Sequence, residues 1–553
     1  MSLKNKDVIY VQSAEAVDSY RYIEVQIQVK RPVVENPFTD VRIEGSLEDS
    51  SGNIIVVEGF CDSQDGSLFK IRFMPQHEGQ YKYKVVYRQH DGFTSEYSGT
   101  FKAVDAGYKG VLKFDPEYPW HFVWEGTGEH YFLNGTTCYY LMGFEDESVI
   151  RSAIDRLHGY KINRLRVLLY GRQENNPWGT PIINCDSYRM ALNPWVSKYP
   201  KDITNPEFDL KRFNEAHWYK YERLLEYARE RDMIVSVIFH IGAQPLHTPF
   251  METSEDEYRY YRYAAARLAA FSNITWDLGN EHDFHRKTDF WTPLLGGFIH
   301  GKDPYKHLIG CHNKVYLQFW YTWLGMQLMQ LWDAGLNKYL LERRKEQSTS
   351  GRIVPQILEE YGYEAHHDKH SGHRCADTRR RCAWEIYMAG AYQTNGEQEH
   401  TGTGMKEDTG GGWVNGRGDD SMTMFKSFVY IIDFFTSFEW WKTEPHNELI
   451  FSYDNCGTKP IDYFDSSGNR VTEFKAFCLA DPGKTYVFYL PAGGCVNAKL
   501  EQGSYSVKCL NPRDGTISEM ADVKGPLWQS PPVADEEDWV FLLTSFHNYK
   551  SEV

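Results

Sequence analysis

The spacing of hydrophobic residues changes period twice along the chain. Near the start, Ile23, Val25, Ile27 and Val29 alternate with Glu24, Gln26 and Gln28, the two-residue period of a strand with one face covered. Tyr81, Tyr83 and Val85 alternate likewise in GQYKYKVVY, and Asp65-Gly66 and Asp91-Gly92 mark turns. Short strands at this spacing predict a β-sandwich of immunoglobulin type over residues 1–105. No catalytic constellation stands out within it.

Over residues 106–445 apolar runs alternate with amphipathic segments. MIVSVIF at 233–239 is continuously apolar, as a parallel strand covered on both faces must be. The segment before it places Trp218, Tyr221, Leu225 and Ala228 on one helical face, and EYRYYRYAAARLAAF precedes another apolar run, Ile274–Leu278. Eight candidate strands fall near 131–140, 162–169, 233–239, 274–278, 307–311, 325–330, 353–359 and 391–394. Repeated helix-to-strand units predict a (β/α)8 TIM barrel. Between the fifth and sixth strands HNKVYLQFWYTWL is short and lacks a helical pattern. The competing doubly wound sheet has neither a GxGxxG nor a P-loop to support it. From 446 to 553 KTYVFYLPAGG, YSVKCLNPRDG and EDWVFLLT return to strand-like patterning. The expected class is therefore α/β, a central TIM barrel flanked by N-terminal and C-terminal β-sandwiches.

At 553 residues the chain exceeds what one core normally organises, in keeping with three domains. Aromatic residues reach 15%, with 16 Trp and 38 Tyr. Sugar C–H faces stack on such rings, but tyrosine-rich β-domains raise the same count. The formal net charge of −16 argues against a nucleic-acid binder, which normally carries a basic patch, and against docking on anionic lipid. Ten scattered cysteines without a CxxC pair read as free thiols of a reducing compartment. No apolar stretch of about 18 residues is present and Met1–Lys6 has no signal-like character, so a cytoplasmic location and no membrane partner are expected. A homo-oligomer is compatible with the sequence. His366, His367, His370, His373, Arg374 and Cys375 form one locally cationic run. Their spacing matches no zinc motif, and a solvated or substrate-facing loop is the preferred reading over a metal-dependent hydrolase or lyase.

Barrel active groups sit at the C-terminal ends of strands, and two of those ends carry carboxylates. Trp276-Asp277-Leu278-Gly279-Asn280-Glu281 closes the fourth candidate strand, and Ile357-Leu358-Glu359-Glu360-Tyr361-Gly362 the seventh. Strands four and seven lie across the barrel mouth from each other. Glycosidic cleavage needs one carboxylic acid to protonate the departing oxygen and one carboxylate to attack the anomeric carbon or activate water.

Asn280-Glu281 after one strand and Glu360-Tyr361-Gly362 after another resemble clan A of the retaining barrel glycosidases. The resemblance implies Glu281 as acid/base, Glu360 as nucleophile, Asn280 on the sugar 2-hydroxyl, and Arg166 as the buried arginine that bonds the nucleophile. More narrowly, YFLNGTTCYYLMGF, HLIGCHN, WLGMQLMQ and the segment from Pro355 to Glu364 resemble the apiosidase-like glycosidase family. The tail resembles the β-domain, called collagen-binding, that follows that barrel. His312 falls where the family commonly keeps a histidine. Where the family often has Gly-Glu-Pro this chain has Glu359-Glu360-Tyr361, which leaves the nucleophile ambiguous by one residue. Strand alternation would send only one of the two glutamates inward, and Tyr361-Gly362 favours Glu360.

Further candidates for the sugar site are His240, Tyr363, Glu364 and Trp413, the last as a stacking platform or a loop anchor. Asp277 reads as structural. No metal or organic cofactor is expected. The implied activity is hydrolysis of oligosaccharides by double displacement, and the resemblance points to plant cell-wall material as their source. In it Arg166 and local hydrogen bonds hold the Glu360 pKa low and burial raises that of Glu281. A catalytically inactive carbohydrate-binding or scaffold protein on the same barrel is the alternative.

Overall fold

The computed structural model describes residues 4–171, 185–241, 249–281, 283, 288–312, 320–332, 335–364, 375–397, 412–418, 422–454 and 474–546. Its centre is an eight-stranded parallel barrel. In chain order the strands are β1 (Asn134–Thr137), β2 (Arg164–Leu168), β3 (Ile234–Ile238), β4 (Ile274–Asn280), β5 (Ile309–His312), β6 (Gln327–Gln330), β7 (Gln356–Glu360) and β8 (Tyr392–Asn395). They pair in the order β5-β4-β3-β2-β1-β8-β7-β6, and β1 to β8 closes in parallel register through Asn134 and Gln393. The seam between β5 and β6 is bridged by Gly325 N donating to Ile309 O at 2.9 Å.

Among the described residues seven helices cover the barrel: α1 (Glu147–Gly159), α2 (Glu215–Arg229), α3 (Glu255–Leu268), α4 (Thr288–Lys302), α5 (Leu336–Ser350), α6 (Ala376–Tyr387) and α7 (Met424–Phe435). Residues 320–326, on the way from β5 to β6, form no helix, matching the non-helical pattern of that link. Helix starts follow local chemistry. Asp146 caps α1 by accepting from Ser148 N at 2.8 Å, and Ser254 caps α3 by accepting from Glu257 N at 3.3 Å. The Glu257 carboxylate accepts in return from Thr253 N, a variant of the Ser-x-x-Glu capping box shifted by one residue. Left-handed Gly335 and Gly351 (φ 81° and 76°) bracket α5, the latter in the usual C-terminal role of glycine.

Two sheets make the N-terminal region. One pairs Val8–Gln12, Ile23–Val29, Leu68–Phe73 and Phe60–Cys61; the other pairs Ala16–Asp18, Thr94–Val104, Gly79–Gln89, Val41–Glu48 and Ile54–Glu58. Ile23, Val25 and Ile27 are fully buried between them, each contributing about 1.5–3 kcal/mol through burial. The C-terminal region has a six-stranded and a three-stranded antiparallel sheet around Phe488, Tyr505, Trp528 and Phe541. Both regions meet the barrel through buried arginines. Arg72 holds Glu222 of α2 (2.8 and 3.1 Å), and Arg267 of α3 holds Asp62 (2.8 Å). On the other side Arg380 of α6 grips Asp538 at 3.0 and 2.7 Å, while Trp384 stacks on Tyr489 at 5.2 Å.

No helix among the described residues is long and apolar enough to cross a membrane. The nine described cysteines are free thiols; Cys456 and the run from His366 to Arg374 lie outside the described residues. Cys375 is the N-cap residue of α6 and lies 3.3 Å from the Thr378 hydroxyl.

Candidate active site

The interior of a TIM barrel is normally filled by branched apolar side chains; here its floor is polar. Arg164 of β2 donates to both oxygens of Glu359 at 2.9 and 2.7 Å, to Ser236 Oγ of β3 at 2.9 Å and to Thr394 Oγ1 of β8 at 2.9 Å. Arg166, one turn of alternation higher, approaches Glu359 through Nε at 3.4 Å. All of these groups are fully buried. Burial raises the Glu359 pKa, but the charges of Arg164 and then Arg166 outweigh it and hold the carboxyl at about 2. Glu359 is therefore a permanent anion of the core.

Glu360 also faces inward, so the expectation that alternation admits only one of the two glutamates is overturned. A β-bulge is the reason. Met329 pairs with Leu358 and Gln330 with Glu360, so β7 advances two residues against one of β6. Leu358 and Tyr361 both pack in the cluster under α5 and α6, and the extra residue leaves both glutamates on the inner side. A second bulge lies in β4, where Asp277 pairs with Gly310 but Asn280 with His312. Bulges re-aim side chains in this way near functional sites. Glu281 then leaves β4 with φ of 50°, a left-handed conformation uncommon for a residue with a side chain. Its N–H donates to His312 O at 2.8 Å and that of Asn280 to His240 O at 3.0 Å, which fixes the turn between β3 and β5.

Around Glu360 a donor network converges. The Tyr139 hydroxyl, two residues beyond β1, donates to Glu360 Oε1 at 2.7 Å, and Gln330 Nε2 donates to Oε2 at 3.2 Å. Arg166 Nη1 stands 4.0 Å from Oε1 and donates to the Tyr139 oxygen at 3.3 Å. The direct partners of Arg166 are instead Asn280 Oδ1 (2.9 Å) and Asp277 Oδ2 (3.2 Å), so it reaches the expected nucleophile mainly through Tyr139 and by charge. Asn280 Oδ1 is also contacted by the Tyr139 hydroxyl at 3.0 Å and by His312 Nδ1. Surrounded by donors, it is fixed as the oxygen of its amide.

The two mouth carboxylates share one electrostatic environment unequally. Burial, then the negative charge of Glu360, pushes the Glu281 pKa up to about 8, against a lowering hydrogen bond from Gln330. Burial also raises Glu360, whereas the sequence had suggested a depressed value. Arg166, Tyr139 and Tyr363 oppose that rise at Glu360; their support makes Glu360 the member that ionises first and leaves the proton on Glu281. Asp277, raised to about 6 by burial, is held by Arg166 and accepts from Gly279 N at 3.2 Å, a structural role as expected.

His240 is fully buried, with Nδ1 3.3 Å from the Tyr261 hydroxyl and its ring edge-on to Trp291 at 5.1 Å. A Cβ on Gly279 would meet its Nε2 at 3.0 Å, so the imidazole lies directly over the backbone that carries Asn280. Tyr363 stacks on Trp413 at 5.7 Å, and Trp413 meets the Tyr139 ring edge at 5.6 Å. Half-buried and bonded through its carbonyl to Tyr139 N at 3.2 Å, Trp413 is an anchor of its loop and an aromatic wall of the mouth at once. Glu364 does not face the site: its carboxylate accepts from Thr423 N (3.0 Å) and Met424 N (3.2 and 3.1 Å) and so caps α7. Tyr139, Gln330 and Trp332, which meets Tyr363 at 5.6 Å, were missed from sequence. Tyr139 and Gln330 follow or end a barrel strand, so the rule that led to the glutamates, extended to β1 and β6, finds them.

Residues 151–406 match the model of the apiosidase-like catalytic domain, and residues 16–88 match a domain of unknown function, DUF5060. The chain is similar in structure to a provisionally named glycoside hydrolase from Bacteroides vulgatus, at 20% identity over 96% of this chain and 100% of that one, with a TM-score of 0.74. It is also similar to a glycoside hydrolase family 5 protein of the same organism, at 15% identity over 80% and 95% of the two chains, with a TM-score of 0.59. At these identities the likeness is one of fold. No curated protein matches the chain. Fold and catalytic-domain match together define a glycoside hydrolase of the barrel class, whose substrate is a carbohydrate. The stretch that matches the apiosidase-like model includes every mouth residue named above except Tyr139 and Trp413.

Proposed function

We propose that the protein cleaves O-glycosidic bonds of oligosaccharides by double displacement with retention, with Glu360 as nucleophile and Glu281 as acid/base. The observation that carries this reading is the pair itself: two carboxylates at the ends of β4 and β7, of which Glu360 accepts from Tyr139 and Gln330 while burial and the charge of Glu360 raise Glu281. Retaining enzymes hold their carboxyl groups about 5–5.5 Å apart, and inverting ones need about 6.5–9.5 Å to admit water.

In the first step an oxygen of ionised Glu360 attacks the anomeric carbon while Glu281 passes its proton to the departing glycosidic oxygen. The C–O bond to the aglycone breaks and a glycosyl ester of Glu360 forms. Esterification removes the Glu360 charge, one of the causes of the high Glu281 pKa, so the now ionised Glu281 is suited to accept a proton from water. The water oxygen bonds to the anomeric carbon and Glu360 departs as carboxylate. Asn280, with Oδ1 occupied by protein donors, has its Nδ2 available for a sugar hydroxyl. His240, His312, Tyr363 and Trp413 shape and orient the same mouth.

The test is Glu360→Ala on the best substrate from a panel of aryl glycosides. Turnover should vanish while the thermal unfolding profile stays in place, and azide should restore release of the aryl group with a glycosyl azide of inverted anomeric configuration, read by NMR. Near-normal turnover by Glu360→Ala would refute the assignment. Inversion of configuration by the wild-type enzyme would refute the double displacement.

A further inference from the structure

Gly396 and Glu397 follow β8 directly, and Trp413 returns to them at the barrel mouth. The Trp413 N–H donates to Glu397 O at 3.1 Å, and its carbonyl accepts from Tyr139 N at 3.2 Å. Val414 O likewise accepts from Tyr140 N at 2.6 Å, so this stretch is stitched to the exit of β1. Gly396 lies close against both mouth rings: a Cβ there would stand 2.8 Å from that of Trp413 and 3.0 Å from the Tyr363 ring. The Glu397 carboxylate belongs to the helix layer instead. Arg156, in the last turn of α1, donates to its two oxygens at 2.9 and 2.6 Å. Glu397 is buried, and Gly418 (φ 63°) covers the pair so tightly that a Cβ there would overlap both Glu397 Oε2 and Arg156 Nη1.

Resting on the proposed sugar site at the mouth, we infer that the Arg156–Glu397 pair is the positioning element of Trp413, fixing the aromatic wall against which the sugar docks. Glu397 is a joint: its backbone holds the Trp413 amide, and its side chain ties that backbone to α1. A bidentate guanidinium–carboxylate pair suits this role, because its two parallel bonds fix orientation as well as distance. A wall ordered before the sugar arrives spares binding the cost of immobilising a large side chain. The ring faces the sugar in the bound complex and in the transition state alike, so its ordering acts on binding rather than on the chemical step.

The test measures kcat and KM on the aryl glycoside that the wild-type protein hydrolyses fastest. Arg156→Met removes the donors, Arg156→Lys keeps the charge without the fork, and Gly418→Ala forces the pair apart while leaving both charged residues in place. Arg156→Met should raise KM roughly 3- to 10-fold, the range of a lost aromatic contact, and leave kcat near that of wild type. Gly418→Ala should move KM the same way, and Arg156→Lys should recover part of the loss. In a Trp413→Ala background Arg156→Met should add no further rise, since the ring it positions is gone. An equal rise in both backgrounds, a fall in kcat at unchanged KM, or wild-type kinetics in Arg156→Met overturns the inference. Should Arg156→Met fail to fold, judged by thermal unfolding, Gly418→Ala decides in the same terms. Glu360→Ala is assayed alongside: its inactivity beside an unmoved KM refutes the role of Arg156 and Glu397 alone, whereas its activity refutes the two-glutamate reading of the site.

Discussion

Glu359 and Glu360 are neighbours in sequence, identical in chemistry and both turned into the same barrel, yet they belong to different regions of it. Glu359 lies in the floor, gripped by Arg164 with Arg166 at its side, and its pKa falls to about 2. Glu360 lies in the mouth, with neutral donors and one more distant arginine, and its pKa rises. Both are buried, so burial does not separate them. What separates them is how close fixed positive charge comes: in the floor Arg164 donates to both Glu359 oxygens with Arg166 at 3.4 Å, whereas in the mouth Arg166 stands 4.0 Å from Glu360. A carboxylate held by two arginines is a poor nucleophile and a good strut. One held by hydroxyl and amide groups stays available for chemistry.

The largest effects should come from exchanging each glutamate for its neutral isostere. Glu360→Gln should lower kcat by at least about 10⁴-fold, as loss of a covalent nucleophile does, while the folded state persists. Glu359→Gln should do the reverse first. It leaves Arg164 and part of the Arg166 charge buried without a counter-ion, which costs about 3–5 kcal/mol of stability. Urea unfolding of both variants beside their turnover checks the contrast. It fails if Glu359→Gln unfolds like wild type, or if Glu360→Gln is destabilised by as much. Because the Glu359 pKa is depressed, the stability it supplies is complete above its unfolded value of about 4.3. It is lost as pH falls toward 2, and the Gln variant should lack that acid-side decline.

How far this contrast was readable in advance follows from what each feature depends on. The eight barrel strands were legible because β1–β8 are buried runs, most of them set off by helices, and such runs show their length and position locally. The place of Glu281 at the end of β4 was legible because the Asn-Glu pair and its strand both lie in the primary sequence. The bulges were not. Alternation assumes an unbroken period of two, and the extra residue in β7 is defined only against β6, through the pairing of Gln330 with Glu360. The sign of the Glu360 shift was misjudged for a related reason: Arg166 was counted as a direct partner, and the balance changes when it stands 4.0 Å away with its strongest contacts elsewhere. Glu364, two residues after the glycine of the nucleophile motif, looked like a substrate ligand until α7 placed its N-terminus there.

A smaller effect sharpens the mouth side of the comparison. Tyr139→Phe removes a 2.7 Å hydrogen bond to Glu360 Oε1 and the link from Arg166 to it without disturbing the floor. Hydrogen bonds to charged groups contribute about 1.5–3 kcal/mol, so kcat/KM should fall roughly 10- to 100-fold. The donor favours ionised Glu360, so its loss should also carry the acid limb of the profile to higher pH. An unshifted acid limb would mean that Tyr139 serves packing against Trp413 rather than the charge of Glu360.

The smallest effect is on stability and runs opposite to intuition, since removing the proposed acid/base should strengthen the fold. Folded Glu281 keeps its proton up to about pH 8, whereas the unfolded chain releases it near about 4.3. Between these values the folded state binds more protons than the unfolded one, so stability falls as pH rises. The contribution is fully present below about 4.3 and is lost on passing through about 8. Glu281→Gln is neutral throughout and escapes the loss. It should match wild type near pH 4 and exceed it by a margin that grows to on the order of 1–2 kcal/mol at pH 8, discounted for the partial exposure of the side chain. Unfolding temperatures at pH 4.5, 6, 7.5 and 9 measure that margin. A constant offset at all four would show that the substitution changes packing alone, and would remove the strongest electrostatic reason for assigning the proton to Glu281 and the charge to Glu360.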